Sequence, residues 1–80
     1  MNLYDRVSLV KDEERYNLKK GDIATLVDFI DHPDKGEKGC VLEVVNALGK
    51  TIDVITLPVS SVEPLRHDEI LSVRQFSKAV

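Results

Sequence analysis

Leu18-Lys19-Lys20-Gly21-Asp22-Ile23-Ala24-Thr25-Leu26-Val27 is the stretch whose reading decides the fold. A basic turn closes on Gly21-Asp22, where glycine supplies the positive φ that a tight turn needs. The residues that follow are mostly β-branched or apolar and suit a half-buried strand. That strand continues to Ile30 with few polar interruptions, so much of both its faces is expected to be covered. A turn feeding such a strand is the entry into a small β-structure, and it points to binding rather than to a reaction.

Upstream, residues 5–10 alternate, with Val7 and Leu9 on one face, and read as a first strand. Lys11 to Asn17 is polar, contains Tyr16, and reads as a surface loop. Downstream, residues 31–39 are dense in turn formers (Pro33, Gly36, Gly39) and read as a mobile hairpin connection. Residues 40–45 form the next strand, and the loop 46–50 follows with Asn46 and Gly49 able to take left-handed conformations. Residues 51–57 form a fourth strand that Pro58 ends, because proline cannot donate to a central ladder. Val59-Ser60-Ser61-Val62 reads as a 3₁₀ turn whose serines cap it, and Glu63-Pro64-Leu65 as a brief edge strand. None of the connections has room for a helical crossover. The predicted fold is therefore all-β: an SH3-like barrel of about five strands over residues 1–65, with a 3₁₀ turn before the last strand.

Residues 66–80 form a C-terminal extension with two readings. Asp68 can cap a helix that puts Ile70, Val73 and Phe76 on one face. Alternatively, Leu71 and Val73 alternate with Ser72 and Arg74 in an extended segment that packs on the barrel edge and then frays. The extended reading is favoured.

Eighty residues make one domain with a thin core and little room for a deep substrate pocket. Only four aromatics are present, so the core must be aliphatic. Residues 1–65 hold 12 acidic against 8 basic groups, a balance of −4. Such a body disfavours phosphate-backbone binding and suits a basic partner. Cys40 stands alone, which excludes an intramolecular disulfide, and its apolar setting reads as a buried small hydrophobe. The N-terminus lacks the apolar run of a signal peptide, and no stretch approaches the roughly 20 apolar residues of a membrane span. The cytoplasm is the expected compartment.

Asp31-His32-Pro33-Asp34, with Glu37 nearby, offers metal-ligand types. A zinc site needs three or four ligands on ordered backbone, and the only other histidine is His67; no metal and no cofactor are expected. Asp12-Glu13-Glu14 lacks a cleft that would separate carboxylate pKa values, so it reads as a solvated loop available to a partner. No Ser/His/acid order, Walker A motif or dinucleotide glycine pattern occurs. With no Trp and two Tyr, the chain cannot line a proline-rich-peptide groove.

The expectation is a non-catalytic protein-binding module. Its candidate contact residues are Glu13, Glu14 and Tyr16 in one loop and Asp31, Asp34 and Glu37 in another. One alternative is a nucleic-acid module of the translation or transcription type. That would require Lys19, Lys20, Lys35 and Lys38 to converge, although acids are interleaved with them. Another is an accessory subunit of a larger enzyme, docking through an edge strand or the Ile70–Phe76 tail.

An ordered set of residues runs through the chain: Leu3-Tyr4-Asp5, Val7 and Leu9; Leu18, Gly21-Asp22 and Thr25-Leu26-Val27; Val41 and Glu43-Val44; Gly49 and Thr51; Thr56-Leu57-Pro58; Glu63-Pro64-Leu65. This set resembles the small bacterial proteins grouped as domain of unknown function 4926, over residues 3–65. The resemblance implies a short, usually stand-alone SH3-like barrel with no catalytic residues to carry over. It also implies an antitoxin or immunity role against a neighbouring toxin-like protein. The chain departs from similar proteins at Ala24, where they often carry glycine, and in a longer 31–39 loop.

Overall fold

A computed structural model describes residues 1–31 and 36–77. The residues His32, Pro33, Asp34 and Lys35, which figured in the metal, partner and nucleic-acid readings, lie outside the described residues, as do 78–80. Five strands form: β1 (Arg6–Leu9), β2 (Ile23–Ile30), β3 (Gly39–Val45), β4 (Thr51–Pro58) and β5 (Val62–Pro64). Single 3₁₀ turns cover Glu14–Tyr16 and Val59–Ser61. All strands join one sheet in the order β4-β3-β2-β1-β5, every pairing antiparallel. The expected strand count, the all-β class and the 3₁₀ turn before the last strand stand. The sheet is not closed by hydrogen bonds, because β4 and β5 are its two ends.

The turn before β2 forms as its sequence requires. Gly21 takes φ +90°, the Asp22 N–H bonds the Lys19 carbonyl at 3.0 Å, and Asp22 Oδ2 accepts the Lys19 N–H at 2.7 Å. The loop before β4 differs from expectation in one detail. Gly49 is left-handed (φ +87°), but Asn46 is not; its Oδ1 instead accepts the Leu48 and Lys50 N–H groups.

The core is aliphatic and continuous across all five strands. Leu26 pairs with Leu42, which pairs with Ile55; Cys40 lies opposite Leu57, Val7 opposite Ala24, and Leu9 opposite Val62. Each of these is buried, and burial of a leucine-sized side chain is worth about 1.5–3 kcal/mol.

A register shift between Leu26 and Asp28 resets the alternation of β2. It puts Phe29, rather than Asp28, opposite buried Cys40, where the ring packs on the core and the carboxylate stays exposed.

The C-terminal extension is neither helix nor strand through residue 77. It packs on the sheet through Phe76 and does not pair with an edge strand.

Candidate protein-binding groove

The segment between β1 and β2 is built, not loose. Glu13 and Leu18 exchange both backbone hydrogen bonds (2.9 and 3.1 Å), pinching off the 3₁₀ turn between them. Asn17 ends that turn in the left-handed region (φ +57°), its N–H bonding the Glu14 carbonyl. Asp12 Oδ1 accepts the Lys20 N–H at 2.9 Å, tying the acidic loop to the basic turn. The solvated-loop expectation holds for Asp12 and Glu14, which are exposed, but not for Glu13, which is half-buried; Tyr16 is half-buried against the core and the adjoining Leu18 is buried. Burial of Leu18 and Tyr16 supplies the free energy that orders a segment whose composition is polar.

This ordered loop forms one wall of a groove of about 390 Å³. Glu13, Arg15 and Tyr16 line that wall; Glu37 and the Thr56-Leu57-Pro58 end of β4 line the other. The Arg15 guanidinium lies 5.3 Å from the Tyr16 ring centroid, a stacking distance. Glu37 Oε1 accepts the Ser60 N–H at 3.0 Å. That bond corrects the reading of the serines as caps, because neither 3₁₀ terminus has a side-chain cap. The Ser60 amide instead orients a carboxylate. Glu13 Oε2 is shut away from water and, among the described residues, receives no hydrogen bond.

Three of the six expected contact residues, Glu13, Tyr16 and Glu37, therefore meet in one groove. Glu14 is exposed and lines a different depression, with Lys19 and Arg74. Asp31 is exposed just beyond the end of β2, and Asp34 lies outside the described residues. Arg15, Thr56 and Pro58 were not anticipated as lining residues. Pro58 carried a signal only for strand ending, and its place opposite the first loop depends on how the sheet curls.

Two further features bear on chemistry. Cys40 is fully buried, and its Sγ–H donates to the Leu57 carbonyl at 3.3 Å. Burial pushes the thiol up from its ordinary value, and the nearby Glu37 charge adds to this. Asp22 and Arg74, far apart in sequence, form a two-point ion pair: Arg74 Nε donates to Asp22 Oδ1 at 2.7 Å and Nη2 donates to Oδ2. Burial raises the Asp22 carboxyl, but the hydrogen bonds from Arg74 and the Lys19 amide outweigh it. The group is left below its ordinary value. Among the described residues no three His, Cys, Asp or Glu side chains come together as a metal site. No helix among them is long and apolar enough to cross a membrane.

Compared with known proteins, the chain matches the sequence profile of a family described as Domain of unknown function (DUF4926), over residues 3–64. No curated protein and no solved structure matches it.

Proposed function

We propose that this chain, which belongs to the DUF4926 family, is a non-catalytic protein-binding module whose contact site is the groove between Glu13–Tyr16 and Pro58. The observation that carries the reading is Glu13 Oε2, a carboxylate oxygen buried at the groove wall without a donor among the described residues. An unpaired buried acceptor is costly, so the Glu13 carboxylate gains by rotating out of the wall into the groove to meet a guanidinium or ammonium from a partner. The Tyr16 ring and Pro58 supply apolar surface beside the carboxylates, so a basic side chain would find both its charge and its stem accommodated. The acidic body would steer such a partner in and set the on-rate, while the groove would supply affinity. The partner class is thus a protein with a basic surface; a toxin-like neighbour in the cytoplasm, as the family resemblance implies, is one such protein. The five-stranded order with a 3₁₀ turn before the last strand supports an SH3-like arrangement for the scaffold that presents this groove.

Titration with a tri-arginine peptide at physiological salt, followed by amide chemical shifts, tests the reading. Shifts should concentrate at Glu13, Tyr16, Glu37 and Thr56, and Glu13→Gln should weaken binding several-fold while Glu14→Gln leaves it unchanged. Shifts spread evenly over the surface, or equal losses from the two variants, would overturn the groove. Tight, steeply salt-dependent gel shifts with nucleic acid would favour the alternative.

A further inference from the structure

Residues 70–77 lie across the sheet held by side chains alone. Among the described residues they make no backbone–backbone hydrogen bond to any strand. Their attachments are the Arg74–Asp22 ion pair, a 3.4 Å bond from Arg74 Nη2 to the Asn17 carbonyl, and the Phe76 ring against the core. Cavities flank the segment: one of about 460 Å³ is floored by Leu18, Ile23, Val44 and Ile52, and another of about 350 Å³ lies toward Leu65. Ile70 and Val73 meanwhile point into water, 94% and 93% exposed. The segment is therefore docked by a cation and an aromatic two residues apart, on a complementary carboxylate and apolar floor. Ile70 and Val73 are left without cover, while Leu71 is half exposed. The link to β5 is an exposed turn in which Arg66 and Glu69 bond each other, so the hinge does not hold the segment to its own sheet.

We propose that the tail is an exchangeable strap, and that the occupant of the Asp22 groove in the associated state is the Arg74-Gln75-Phe76 segment of a second copy of this chain. Exchange of an identical element reproduces the Arg74–Asp22 and Phe76–core contacts made within one chain and changes only the path of the 66–69 turn, so the interface needs no new complementarity. The charge pairing of Arg74 with Asp22 sets the register in both states. The exposed Ile70 and Val73 supply the bias toward association, because two straps crossing between copies bring these side chains together and out of water. This proposal is independent of the Glu13 groove.

Reciprocal charge reversal tests it. Asp22→Arg and Arg74→Asp each place like charges at the latch, within one chain and in a homodimer. In an equimolar mixture, both latches of the exchanged dimer are again oppositely charged. Sedimentation velocity should show each variant alone as a monomer, the refolded mixture as a dimer, and the double variant as the wild type. Circular dichroism checks that each variant has kept its sheet. A mixture that remains monomeric overturns the proposal. Should one variant fail to fold, the wild type decides: refolded from urea at rising protein concentration, it should yield a growing dimer fraction. A monomer at every concentration also overturns it.

Discussion

Glu13 and Cys40 show how the same fold treats two buried polar groups differently. The Cys40 thiol has the Leu57 carbonyl as partner and the core as surroundings. Its native form should resist Ellman's reagent and react fully in urea, the labelling rate then reporting how often the core opens. Rapid labelling of the folded protein would mean that β3 is not packed as described. Glu13 has a buried oxygen that finds no donor among the described residues. Glu13→Gln removes the charge while keeping the shape, and should raise stability to urea by about 1 kcal/mol as it weakens partner binding. A loss of stability would show that the carboxylate is satisfied within the chain. Cys40 was legible in the sequence as a buried small hydrophobe because an apolar run surrounds it. The burial of Glu13 was not, because its neighbours Asp12 and Glu14 are of the same type yet stay exposed.

At the scale of elements, local chemistry wrote the turns plainly. Gly21 sits at φ +90° with nothing within reach of an added Cβ, so Gly21→Ala should cost only the backbone penalty, about 1–2 kcal/mol. Asn17, also left-handed, should accept glycine with little change in the urea midpoint. Equal effects from the two substitutions would contradict the turn geometry. The strand β2 was read with its bounds, since Ile23–Ile30 is an unbroken β-prone run between two turn signals. Its bulge was not, because alternation within one strand carries no record of the register with the next. The 3₁₀ turn at Glu14–Tyr16 escaped for a related reason: it is stabilised by Leu18 and Tyr16 reaching the core, not by a capping residue.

For the whole molecule, the Asp22–Arg74 pair helps the Phe76 ring fasten the C-terminal extension to the sheet. Because the folded Asp22 carboxyl lies below its ordinary value, its contribution is present above that ordinary value and is lost as pH falls through the folded one. Urea unfolding of the wild type and Asp22→Asn should therefore differ by on the order of 1 kcal/mol near neutral pH, since the pair is only partly buried. The two curves should converge under acid; a gap that persists there would mean that Asp22 acts through something other than its charge. By itself, the sequence determined the all-β class, the five strands, the glycine turns and the aliphatic core, since alternation, turn chemistry and β-branching act over a few residues. The tertiary structure alone decided that the sheet stays open, that Glu13, Tyr16 and Glu37 share a groove, and that Arg74 reaches Asp22. Those facts join residues dozens of positions apart, and only the curl of the sheet and the packing of its core bring them within bonding distance.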